Sequence, residues 1–177
     1  MLVEQIPPTA ARVLDLGTGS GRLLDLVKTE RPDIEGLALD FSETMLGHAR
    51  KRFADDRKVK VIYHDLNDTL SDMGKFDAVI SSFVIHHLTH ERKMKIYEEI
   101  FGLSNPNGVF CNLDHVASPT EALHLKFLKL MGQTLETEDH SNKLLDVETQ
   151  LRWLREIGFC RRGLPLEVAR ICATCRV

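Results

Sequence analysis

Long apolar runs are missing from this chain of 177 residues. None approaches the roughly 20 residues that a membrane span requires, so no membrane partner is expected. Charge of one sign is also missing. The 23 lysines and arginines stand against 26 aspartates and glutamates, a net charge of −3. That balance leaves no basic arm or stripe for nucleic acid and no basic face for a membrane surface. Cysteine is sparse, with four residues and no framework spacing, which excludes a disulfide scaffold and points to a reducing compartment, the cytoplasm. The first residues, Met1 to Pro8, lack the charged and long apolar regions of a signal peptide. There is no internal repeat or low-complexity tract. At this length one domain over 1–177 is the expectation, burying roughly 70% of the surface of the unfolded chain.

What is present is an alternation of short apolar runs and helical patterns. Residues 11–16, 34–40, 59–63, 76–81 and 109–113 read as strands, because each is short, apolar and bounded by turn signals. Between them lie helical patterns at 20–30, after Ser42 and after Thr89, with Ser42 and Thr89 as N-caps. Asn105-Pro106-Asn107-Gly108 reads as a turn. A helix from about Thr120 to Met131, a polar segment at 132–143 and a helix at Val147–Ile157 follow. The tail alternates in the manner of a strand, with Ile171, Ala173, Cys175 and Val177 on one side. The fold class expected is α/β: a doubly wound, mostly parallel Rossmann-like sheet with helices on both faces and a C-terminal antiparallel strand.

In such sheets ligands bind beyond the carboxyl ends of the strands, at the switch point, and here those ends are polar. Strand one runs into Asp15-Leu16-Gly17-Thr18-Gly19-Ser20-Gly21. Glycine at alternate positions suits a turn that needs positive φ or close approach to a ligand. Strand two ends in Asp40, about 20 residues beyond the turn, the spacing at which an acid meets ribose hydroxyls. Strand three is followed by Asp65 and Leu66, and an acid there can accept from an exocyclic amine. Strand four ends in Ser81-Ser82-Phe83 and continues to His86-His87. Phe41 and Met45 offer apolar surface for a flat ring, although their helical spacing reads equally as core. The dinucleotide fingerprint G-x-G-x-x-G fails at Arg22, where its third glycine would pack helix against strand around a pyrophosphate. A nicotinamide or flavin cofactor is therefore disfavoured.

Asp15 to Gly21 resembles motif I of the class I S-adenosylmethionine-dependent methyltransferases. Asp40, Asp65 and the segment from Phe76 to Leu88 resemble the next three motifs, in order, over about residues 10–160. The resemblance implies S-adenosyl-L-methionine as cofactor and methyl transfer to a small-molecule acceptor. It implies that Gly17, Thr18, Gly19 and Gly21 lie against the methionine part and that Asp15 orients its ammonium. Asp40 would bind the ribose, Phe41 and Met45 would border the adenine, and Asp65 and the Leu66 amide would meet the adenine edge. Ser81 and Phe83 would face the methionine group. His86, His87, Asp114 and His115 are the candidate bases for a protic acceptor, with His86 and His115 following strands four and five and titrating near neutrality. The segment from Asp114 to Leu145, with His124 and Phe127, is expected to shape the acceptor site.

Other features read more plainly. No metal is expected at His86, His87 and His90, because no cysteine or acid stands at matching spacing. Cys172-Ala173-Thr174-Cys175 spells CxxC inside an apparent strand, where residues three apart face opposite ways. Glu91-Arg92-Lys93 reads as a solvated helix face. The glycine motif begins only 17 residues in, so the N-terminal lid helices typical of the family are expected to be short or missing. Either the chain is a truncated form, a partner or a homodimer supplies the lid, or the site is unusually open; a non-catalytic cofactor-binding module is the alternative reading.

Overall fold

The computed structural model describes residues 2–161, 166–167 and 170–176, with backbone alone from Cys160 onward. Five strands form the body of the sheet: β1 (Arg12–Leu16), β2 (Glu35–Asp40), β3 (Val59–Tyr63), β4 (Phe76–Ser82) and β5 (Ser104–Asp114). They stand in the order β3-β2-β1-β4-β5, each pair parallel. The helices are α1 (Arg22–Glu30), α2 (Glu43–Arg52), α3 (His90–Leu103), α4 (Glu121–Leu130) and α5 (Val147–Ile157). Three short strands, β6 (Cys160–Arg161), β7 (Leu166–Glu167) and β8 (Arg170–Arg176), complete the described chain. No helix among the described residues is long and apolar enough to cross a membrane.

Alternation along the strands feeds two cores. Leu14, Leu16, Leu39, Val79 and Phe110 point to one face, where Ile96, Tyr97 and Ile100 of α3 and Leu151 and Leu154 of α5 cover them. Val13, Ala38, Ala78, Ile80 and Cys111 point to the other, under Leu24 and Val27 of α1 and under Phe53. Each fully buried Leu or Ile contributes about 2 kcal/mol, which lets short strands hold as a sheet. The helices start where hydroxyl and carboxylate caps permit. Ser42 accepts from the Met45 amide, Thr89 from Arg92, Thr120 from Leu123 and Asp146 from Thr149.

One boundary differs from the sequence reading. Asn105 to Gly108 is not a free turn but lies within β5, which runs from Ser104 to Asp114. The pairing with β4 shifts register between Phe76 and Ala78, and Asn107 takes φ +65°. The turn residues are thus absorbed as an irregularity inside the strand.

The order of strands places the switch point between β1 and β4, and the glycine turn sits there. Gly17 has φ +64°, and a Cβ at that position would lie 2.6 Å from the side chain of Val84. We expect Gly17→Ala to cost on the order of 2 kcal/mol, from left-handed strain plus overpacking. Urea denaturation measures this; an unchanged midpoint would mean that the turn and Val84 are not in tight contact.

Candidate active site

The turn is held by two acids, and they are held differently. Asp40 is buried and accepts at both oxygens: the Gly19 amide donates to Oδ2 at 2.8 Å and the Ser42 amide to Oδ1 at 2.8 Å. The Thr18 amide donates to the Leu39 carbonyl at 2.8 Å. The glycine turn is therefore stitched to the end of β2, and the start of α2 is stitched to the same carboxylate. Asp15 is 1% exposed. The Thr18 hydroxyl donates to its Oδ2 at 2.5 Å, while Oδ1 is buried without a hydrogen-bond partner. Burial, with the nearby charge of Asp40, pushes its pKa up from 3.8 to about 7, against the Thr18 hydroxyl and the Leu24 amide. A Cβ built on Gly19 meets nothing within 4 Å, so space is left beside the turn. A buried carboxylate with one unpaired oxygen is a group that a cationic amine would satisfy.

The end of β3 joins this group through the backbone. The His64 amide donates to the Asp40 carbonyl at 2.9 Å, and Asp65 comes next in the chain. Asp65 is half-buried; both bonds to its carboxylate, from the Asn67 amide and side chain at 2.9 Å, fall on Oδ1. Leu66 is buried, with its carbonyl accepting from Arg92 at 2.6 Å. Phe41 and Met45 are 61% and 44% exposed. They are not core, and leave apolar surface beside Asp40. Gly21 closes the turn with φ +82°, leading into α1. An open cleft of about 970 Å³ lies between the turn and α2, with Gly19, Ser20, Met45 and His48 among its walls.

The ends of β4 and β5 build a second, aromatic group. Ser81 is fully buried and its hydroxyl has no hydrogen-bond partner. Phe83 takes φ +54°, a left-handed conformation uncommon for a bulky residue. Its ring meets the edge of His115 with centroids 5.2 Å apart. His115 stacks on His86 at 5.0 Å and meets Phe127 of α4 edge-on at 5.7 Å. Asp114, 4% exposed, collects three donors: the His86 amide at 2.9 Å, the His115 amide at 2.9 Å and the Nδ1 of His86. The carboxylate accepts from all three, so the Nδ1 of His86 carries a proton turned towards Asp114. The ring of His87 lies tilted against that of His86 with centroids 4.0 Å apart; burial, then the charge of His86, lowers its pKa. His124 does not join the group. It pairs with Glu138 at 2.9 Å beside a separate cleft under residues 117–144.

Asp114 thus orients a histidine, a role that its position at a strand end did not reveal. The larger correction concerns Glu91-Arg92-Lys93. Glu91 is exposed, but Arg92 and Lys93 are 8% and 1% exposed. Arg92 forks onto Glu99 at 2.7 and 2.8 Å and donates to the Leu66 and Asp68 carbonyls, each at 2.6 Å. Lys93 donates to the carbonyls of His86 at 3.2 Å, Lys143 at 2.6 Å and Leu88. Arg92 and Lys93 stand four residues before the core residues Ile96 and Tyr97, on the same face of the helix, a spacing that hints at an inward face but not at the carbonyls that meet them. The CxxC side chains, with the others from Cys160 onward, lie outside what is described.

A family profile described as "Methyltransferase domain" matches residues 13–108, more than half of the chain. The chain belongs to the class I S-adenosylmethionine-dependent methyltransferase family. The demethylmenaquinone methyltransferase of Clavibacter sepedonicus is 29% identical over 168 residues, which cover 86% of this chain and 67% of that protein. An O-methyltransferase family protein from Burkholderia thailandensis superposes with a TM-score of 0.79 at 19% identity, over 99% of this chain and 52% of that one. Human N-acetylserotonin methyltransferase, solved in complex with S-adenosylmethionine, gives 0.72 at 15% identity, over 99% and 50%. This methyltransferase-family chain thus spans about half the length of those two solved proteins. The family's cofactor is S-adenosylmethionine, a sulfonium that also carries an ammonium, and the unpaired oxygen of Asp15 is of the right sign to receive it.

The raised pKa of Asp15 has a measurable consequence in the ligand-free methyltransferase domain. Its unfolded value is 3.8 and its folded value about 7, so between these the folded state binds more protons than the unfolded state. The contribution of Asp15 to stability therefore falls as pH rises from about 4 to about 7 and stays low above. Asp15→Asn is expected to be more stable than wild type at pH 8, by up to about 4 kcal/mol, with the two converging towards pH 4. Urea midpoints at pH 4, 6 and 8 measure the difference; a gap that does not change with pH would refute the burial account.

Proposed function

We propose that this domain binds S-adenosylmethionine across the ends of β1, β2 and β3 and transfers its methyl group to a small molecule. The observation that carries the reading is the convergence at the switch point of Asp15, with one buried unpaired oxygen, and Asp40, whose carboxylate ties the glycine turn to β2. In this reading Gly17, Thr18, Gly19 and Gly21 cradle the methionine part and Asp15 receives the ammonium. Asp40 keeps a second lone pair on each oxygen for ribose hydroxyls. Phe41, Met45, Asp65 and Leu66 border the adenine, and Ser81 and Phe83 face the methionine group. The bound cofactor supplies an electrophilic methyl on a good leaving group, so the protein's main task is alignment.

The acceptor belongs on the side of β4 and β5. Phe83, His115 and Phe127 meet edge to face there and suit a flat aromatic acceptor. The printed name of the Clavibacter relative, a demethylmenaquinone methyltransferase, supports the same class. His115, half-buried in this wall, is the group nearest to handle an acceptor proton. His86, oriented by Asp114 and stacked behind His115, presents Nδ1 to that carboxylate and leaves Nε2 as the ring nitrogen that would take an acceptor proton. We place the domain in the cytoplasm, on its cysteine usage, and expect no nucleic-acid partner. A homodimer is one way to complete a lid over the acceptor. The outer edge of the sheet is read as closed by β8 running antiparallel to β5; the pairing of Val109 through Asp114 with Arg176 through Ile171 supports this.

Calorimetric titration with S-adenosylhomocysteine tests the cofactor assignment. Wild type is expected to bind, and Asp40→Ala to bind at least about tenfold more weakly, a loss of about 1.4 kcal/mol or more. Equal affinities would remove Asp40 from the ribose site. Incubation with labelled S-adenosylmethionine and a panel of quinols and phenols tests transfer. Binding without transfer to any of them would favour the non-catalytic module.

A further inference from the structure

We infer that Arg92 and Lys93, consecutive on α3, are positioning residues that hold the two halves of the site separately: Arg92 the loop after β3, and Lys93 the His86 turn together with the segment at residue 143. The inference rests on the assignment of the loop after β3 to the cofactor and of His86 to the acceptor side.

Neither residue is placed as a surface cation. The guanidinium of Arg92 meets the Leu66 carbonyl through Nε and the Asp68 carbonyl through Nη2, and both of its Nη atoms reach Glu99. Glu99 in turn accepts from the Leu70 amide at 3.1 Å. Arg92 and Glu99 therefore clasp residues 66, 68 and 70 in one network, immediately beyond Asp65. The planar fork of arginine matches this set, and lysine cannot reproduce it.

Lys93 solves a different problem. An ammonium has three N–H donors, and here three backbone carbonyls surround it: His86, Leu88 and, 50 positions along the chain, Lys143. The strap is double, because the Lys143 amide also donates to the His86 carbonyl at 2.8 Å. His86 is thus fixed through its ring by Asp114 and through its carbonyl by Lys93 and residue 143. The same ammonium anchors the far end of the segment that follows α4, the helix carrying Phe127. Burial pulls the pKa of Lys93 down to about 8, with Asp114 opposing and Lys143 assisting. A buried cation is a poor way to gain stability alone, because an apolar residue of similar size fills such a site as well. Its use here is to hold three carbonyls from two separate segments at one point.

Two substitutions and two readouts separate the roles. Arg92→Lys, which keeps the charge and loses the fork, is expected to weaken S-adenosylhomocysteine binding by about tenfold in calorimetry. It should leave amide hydrogen exchange at Lys143 unchanged. Lys93→Met is expected to do the reverse: affinity within about twofold of wild type, but lost protection at Lys143. Lys93→Gln, whose amide offers two N–H donors to the three carbonyls, replaces it in both measurements if the methionine variant does not fold. Equal losses in both readouts, or no change in either, would overturn the division of roles. Failure of wild type to bind S-adenosylhomocysteine would overturn the cofactor assignment instead, and the exchange at Lys143 would still decide the part played by Lys93.

Discussion

The carboxylate of Asp40 is the joint on which the site depends. One oxygen takes the Gly19 amide and the other takes the Ser42 amide. A single side chain thereby fixes the glycine turn after β1, the end of β2 and the start of α2. Carboxylates that accept backbone amides are strong hydrogen-bond centres, and inside a protein such bonds are poorly replaced by water. The turn itself cannot supply this rigidity. Gly17, Gly19 and Gly21 all have positive φ, which glycine adopts without cost but without preference. Asp40 and the Val84 side chain packed on Gly17 select one shape from those available.

Around this joint the protein tolerates electrostatic arrangements that an ordinary core avoids. Asp15 is buried with an unpaired oxygen, Ser81 and Asn112 bury polar atoms without partners, and Phe83 holds a left-handed backbone. Each is costly in the ligand-free protein. These four stand towards the carboxyl ends of β1, β4 and β5. Strain and unsatisfied polarity collect at sites that gain their partner from a ligand. The buried cations Arg92 and Lys93, by contrast, are matched by carbonyl and carboxylate acceptors.

The two halves of the site differ in kind. The proposed cofactor half is built from backbone and carboxylates on three neighbouring strand ends, close in sequence order. The proposed acceptor half is aromatic and imidazole-rich, and draws on the loop after β4, the end of β5 and α4. Its histidines depend on partners far along the chain, such as Asp114 for His86 and Ser141 for His87 at 3.1 Å.

That difference explains how much could be read in advance. Strand periodicity, caps at Ser42 and Thr89, and an acid at the end of each of the first three strands are local patterns. They were enough to read the parallel α/β sheet and to propose the cofactor-side residues, because period 2, period 3.6 and turn chemistry act over a few residues. Tertiary structure alone decided the rest. It exposed Phe41 and Met45, which helical spacing left open between core and surface. It drew Asn105 to Gly108 into β5. It set Asp114 against His86, and it buried Arg92 and Lys93 under carbonyls from residues 66, 68, 86, 88 and 143. A charged residue is buried or solvated according to acceptors that arrive from elsewhere in the chain, and no local pattern records where those acceptors will be.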